Sequence, residues 1–163
     1  MNDASGGAGL AGAPELPDPV SVGARRVLLA SEGRAIPKHA VDYAAGFGAP
    51  VHVFSVARIW GTSLGFPNPG LLPTKREWDE QRKLVATAVK ALRRRGIEAE
   101  GHVLGTRKAT KRIVGEAERL GCDAIVMAAD LPRGRLLADL MWSQEPYRVR
   151  RRAKVPVYLV LAK

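Results

Sequence analysis

GCDAIVMAADLPRGRLLADLMWSQ, residues 121–144, contains the change of character around which the rest of the chain is arranged. Gly121 closes a helix, the apolar run Ala124-Ile125-Val126-Met127 follows, and the polarity changes abruptly at Asp130. An apolar run without alternation suits a strand buried on both faces of a parallel sheet. Ligands of such sheets bind beyond the carboxyl ends of the strands, where the strand order reverses. A ligand site is therefore expected around Met127 to Gly134.

Upstream, Ala109, Ile113, Ala117 and Leu120 recur at helical spacing after the turn Gly105-Thr106. Before that turn, Ile97 to Leu104 alternates in polarity and reads as an edge strand with one wetter face. Thr74-Lys75-Arg76-Glu77 is a capping box. The helix it opens is expected to run to Arg95 and stop at Gly96, with Trp78, Val85, Ala88, Val89 and Leu92 as its inward stripe. Val27 to Ala30 and Val51 to Val56 are further apolar strands, joined by a helix that Pro37 opens. Between Ala57 and Pro73, repeated Gly and Pro predict a long irregular loop, read either as a lid or contact or as a cover for a sheet edge.

Downstream, Ser143 is the expected N-cap of a short basic helix ending near Ala153, and Val155 to Leu161 is a last strand. Pro156 at its start confines that part to a sheet edge or to the beginning of the strand. An apolar edge must be covered or paired. Pairing of Val157, Tyr158, Leu159 and Val160 with the same strand of a second chain predicts a homodimer. The order β-α-β-loop-α-β-α-β-α-β predicts an α/β domain: a five-stranded, mainly parallel sheet between helical layers, an α/β/α sandwich.

Composition bounds the rest. With 163 residues there is room for one core. Residues 1–22 read as a disordered Gly/Ala/Pro leader without the pattern of a secretory signal, and 23–163 as the domain. No apolar run is long enough to cross a bilayer, so no membrane role is expected. The single cysteine, Cys122, excludes an internal disulfide, suits a cytoplasmic protein and reads as a packed hydrophobe. The net charge of +10 favours anionic partners, but the basic clusters fall at helix ends and faces where solvation explains them. His39, His52 and His102 stand at no metal-ligand spacing, so no metal site is expected and His102 reads as a solvent-facing strand residue. Asp130 and Asp139 read as loop and cap residues. Neither a P-loop, nor a dinucleotide fingerprint, nor a nucleophile elbow occurs. No catalytic residue is expected.

The segments GTRKATKRIVGEAERLGCDAIVM (105–127) and RRRAKVPVYLVL (150–161) resemble the universal stress protein family. The first is similar to that family's turn, helix and "aDlIVmG" strand, and the second to its closing "RRApcPVlvV". The resemblance covers roughly residues 25 to 163 and implies the adenine nucleotide alpha hydrolase-like fold. It also implies a candidate site for ATP or another adenine nucleotide at Ala30, Ser31, Glu32, Val56, Met127, Ala128, Arg133, Gly134, Ser143 and Gln144. ATP-binding members carry an Asp after the first strand, where Glu32 stands here. They also carry a G-x-x-G turn and a later Gly-Ser or Gly-Thr. In this chain Ala128 and Leu131 replace the turn glycines, and Ser143-Gln144 matches the later pair only in part.

Glycines in such a loop let backbone approach a phosphate, whereas Leu131 places a branched side chain in its way. Arg133 and Arg135 offer compensating phosphate contacts. The expectation is a non-catalytic stress-response or regulatory domain that has lost tight ATP binding. Two alternatives stand beside it. One is a member that binds ATP or AMP, as a nucleotide switch or a weak ATPase. The other is a basic nucleic-acid-binding module using Arg148 to Lys154, which lacks the aromatic strand residues that single-strand binders stack on.

Overall fold

The computed structural model describes residues 15–58, 62–63, 66–67, 73–130 and 144–161. In chain order its elements are α1 (Pro19–Val22), β1 (Val27–Ser31), α2 (Lys38–Gly46), β2 (Val51–Arg58), β3 (Thr62–Ser63), β4 (Phe66–Pro67), α3 (Lys75–Arg94), β5 (Ala99–Thr106), α4 (Ala109–Leu120), β6 (Ala124–Ala129), α5 (Glu145–Arg152) and β7 (Val157–Leu161). The main sheet has the order β5-β2-β1-β6-β7, and every neighbouring pair is parallel. Helices α2 and α3 cover one face; α4 and α5 cover the other.

The apolar runs explain the layering. All five residues of β1 are buried, as are five of the six in β6. Odd-numbered Val27 and Leu29 join the α2/α3 core with Val51, Val53 and Val126, while even-numbered Leu28 and Ala30 join the α4/α5 core with Phe54, Ile125 and Met127. Two separate cores on one sheet are what a period of two produces in strands with no polar face.

The helices start and stop where their residues dictate. The Thr74 hydroxyl accepts from the Glu77 N–H at 3.3 Å, and the Glu77 carboxylate accepts from the Thr74 N–H at 2.7 Å, so both bonds of the capping box form. On α3, Val85, Ala88 and Leu92 are buried and Trp78 and Val89 half-buried. On α4, Ala109, Ile113 and Ala117 are buried, as their spacing predicts.

Two expectations change. Residues 15–22 do not read as a disordered leader: Asp18 caps α1, and the Tyr43 hydroxyl on α2 donates to the Pro17 carbonyl at 2.8 Å. Composition alone cannot see that tertiary bond. Within the segment expected to be irregular, β3 and β4 pair as a short antiparallel ladder. The final strand lies at a sheet edge and β5 at the other, both as expected. Among the described residues no helix is long and apolar enough to cross a membrane.

Candidate functional site

β1 is flanked by β2 on one side and by β6 on the other, and the strand order reverses between β1 and β6. A cleft of about 210 Å³ opens there, beyond the carboxyl ends of both strands. It is lined by Ala30, Ser31, Glu32 and Arg34 after β1, by Pro37 and His39 at the start of α2, and by Ala128 and Asp130 at the end of β6. This is the crevice where open α/β sheets bind ligands.

The turn after β1 is held by short-range bonds. The Ser31 hydroxyl donates to the Arg34 carbonyl at 2.6 Å and accepts from the Gly33 N–H at 3.2 Å. Gly33 has φ +103°, a region that L side chains avoid. Gln81 on α3 braces the turn from outside: its amide donates to the Gly33 carbonyl at 2.9 Å and its oxygen accepts from Ser55 on β2 at 2.6 Å.

Glu32 is only 4% exposed, and its carboxylate lies 3.2 Å from the Arg34 guanidinium. The same guanidinium pairs with Asp130, so one cation is shared by two carboxylates. Tyr147 on α5 donates to the Asp130 carbonyl at 3.1 Å and fixes the end of β6. Among the described residues, His39 Nε2 is buried without a hydrogen-bond partner. A buried polar atom with no partner calls for a missing partner.

The structure thus brings together Ala30, Ser31, Glu32 and Ala128 from the residues proposed on sequence. Val56 and Met127 do not join them. Both are fully buried in the α4/α5 core, because their parity points them at that layer rather than at the strand ends. Gln144 sits at the start of α5, where its carbonyl accepts from the Arg148 N–H. Arg133, Gly134 and Ser143, with Leu131, Arg135 and Asp139, lie outside the described residues. Sequence reading missed Arg34 and His39 as members of the site. Arg34 stands three residues beyond the strand end, and only the fold places it beside Asp130.

The expectation about the histidines is also corrected. His52 on β2 and His102 on β5 approach to 2.7 Å between ring nitrogens, and His102 lies 3.1 Å from the Glu116 carboxylate on α4. His102 is therefore no isolated solvent-facing residue. Cys122 is buried as expected, and burial pushes its thiol up to about 11. A second, basic cleft of about 620 Å³ lies between α4 and α5, lined by Arg107, Lys108, Lys111, Arg148, Arg151 and Arg152. Its helix start is already occupied, since the Glu145 carboxylate accepts from the Thr110 N–H at 3.2 Å.

A five-stranded parallel α/β domain whose strand order reverses between β1 and β6 belongs to the class of doubly wound open-sheet domains. Residues 24–160 match the universal stress protein family, and the chain belongs to that family. Among solved structures it is similar to a universal stress protein from Archaeoglobus fulgidus in complex with dAMP: 21% identity, TM-score 0.60, covering 83% of this chain and 96% of that one. A universal stress protein family member from Burkholderia pseudomallei has 23% identity and TM-score 0.61, with 85% and 96% covered. One from Arabidopsis thaliana with AMP bound has 14% identity and TM-score 0.52, with 85% and 91% covered. No curated protein matches.

Proposed function

We propose that this chain is a non-catalytic regulatory domain that takes an adenine nucleotide of low charge, AMP rather than ATP, in the cleft between the ends of β1 and β6. The observation that carries this reading is the charge of the cleft. Two carboxylates, Glu32 and Asp130, face the cleft, and both pair with the guanidinium of Arg34. A triphosphate brought against the Glu32 and Asp130 carboxylates meets more like-charge repulsion than a monophosphate does. A ribose suits the same groups better, because its hydroxyls donate to carboxylates and His39 Nε2 has hydrogen-bonding capacity to spare. Two similar structures are described with dAMP and with AMP, which supports the choice of ligand class. The reading extends to a cytoplasmic homodimer joined through β7.

Calorimetry with adenosine, AMP, ADP and ATP in the absence of divalent cations tests it. AMP is expected to bind at least about tenfold more tightly than ATP, equivalent to ~1.4 kcal/mol of charge repulsion. Glu32→Gln is expected to narrow that gap by removing one negative charge. Tighter binding of ATP than AMP, or release of inorganic phosphate from ATP, overturns the reading.

A further inference from the structure

At the sheet edge formed by β5, away from the cleft, three titratable side chains from three elements converge. The parallel register pairs His52 with Glu100 and Phe54 with His102. His52 and His102 therefore share a face, one pleat apart, beneath α4. Glu116 descends from α4 between the buried Ile113 and Ala117 and is itself only 4% exposed. A carboxylate among apolar neighbours is costly to bury unless cations answer it. Arg119, one turn on, binds it from the solvent side.

The contacts form a chain. Glu100 Oε1 lies 3.2 Å from His52 Nδ1, His52 Nε2 lies 2.7 Å from His102 Nδ1, and His102 Nε2 lies 3.1 Å from Glu116 Oε1. Each of these three contacts needs a hydrogen between its atoms. Two neutral imidazoles carry only two N–H groups. Whatever the tautomers, one contact then sets lone pair against lone pair, and the cluster is short of one positive charge. A third proton supplies it, or a metal ion does.

The arrangement suits the metal. With its Nδ1–H donated to Glu100, His52 turns the Nε2 lone pair inward, the carboxylate–imidazole orientation of metal-bound histidines. One ligand atom from each of His52, His102 and Glu116 lies within 4.8 Å of the others. Bonds of about 2.0–2.1 Å in a tetrahedral site separate ligand atoms by about 3.3 Å, so small ring movements admit an ion. Two imidazoles and a carboxylate favour borderline dications over magnesium or calcium, which require oxygen. His102, 30% exposed, gives access from solvent.

We propose that His52, His102 and Glu116 form a binding site for a zinc-class dication, with a fourth position open to water, that ties β2, β5 and α4 together.

Titration of metal-free full-length protein with Zn(II), by calorimetry and by thermal melting, tests the proposal, with Co(II) absorption as the spectroscopic probe. One equivalent is expected to bind, to raise the melting temperature, and to give the intense visible bands of a tetrahedral Co(II) centre. His102→Ala and His52→Ala, checked for folding by circular dichroism, are expected to abolish all three effects. Glu100→Gln, which only orients His52, is expected to weaken Zn(II) binding by about tenfold. Absence of Zn(II) binding overturns the proposal, as does binding that survives in both histidine variants. Nitrogen NMR that reports a shared imidazole proton undisturbed by Zn(II) also overturns it.

Discussion

Asp123 lies at the start of β6, and its carboxylate accepts from the backbone N–H groups of Arg25 and Arg26 at 3.0–3.1 Å. This is the "D" of the family-like strand signature, and its role here is to hold β1 and β6 in register. Burial alone would raise its pKa. The N–H donors of Arg26 and Arg25 and the Arg25 guanidinium outweigh that and hold it below its ordinary value of 3.8. A depressed carboxyl contributes stability that is present above its unfolded pKa and is lost as the pH falls through the folded one. Asp123→Asn is expected to destabilise the protein by about 1.5–3 kcal/mol at pH 7. In urea unfolding at a series of pH values, the gap between wild type and variant should shrink steadily below pH ~4. A gap independent of pH would refute the electrostatic account.

The elements themselves were largely legible. Thr74 and Glu77 announced the start of α3, Gly96 its end, and the unbroken apolar runs at 27–30 and 124–127 announced two central strands. Local chemistry decides such boundaries, so local sequence reports them. What stayed hidden depends on contacts distant in sequence. His52 and His102 are 50 residues apart and meet only through the β2–β5 register; Arg34 and Asp130 meet 96 residues apart across the switch point. Gly101 is a further case, unremarkable in the sequence. A Cβ added there would stand 2.6 Å from both the Val53 carbonyl and Val85 Cγ1, so α3 seats on β5 only because the side chain is missing. Gly101→Ala is expected to cost about 1–3 kcal/mol in chemical denaturation, through overpacking of that helix–strand contact. A neutral substitution would mean that α3 shifts freely on the sheet.

The sheet as a whole ends in two strands that each pair on one side only, β5 and β7. The faces beside them differ. Next to β5, charged and imidazole groups occupy the surface, whereas Tyr158 on β7 packs with Tyr43 and Phe47 at ring separations of 5.5–5.8 Å. An unpaired edge with apolar side chains invites a second strand. Light scattering on the purified protein is expected to give twice the chain mass of 17.6 kDa. Val157→Lys, a charge on that edge, should return it to one chain with its circular dichroism unchanged. A monomeric wild type would remove β7 as an interface. The family and the layer order followed from strand pattern and closing segment. The ligand's identity turns on side chains that face each other across the switch point, and neighbours in space are not neighbours in sequence.

Cys122 carries one last consequence. The chain has a single thiol, sealed under α4 and held protonated by burial. A disulfide reagent can reach it only when that layer lifts, so the rate of labelling keeps time for the opening of the fold. Any small molecule or ion that clasps the native state must slow that clock, and native thiol labelling reads its grip without a dye, a tag or an engineered residue.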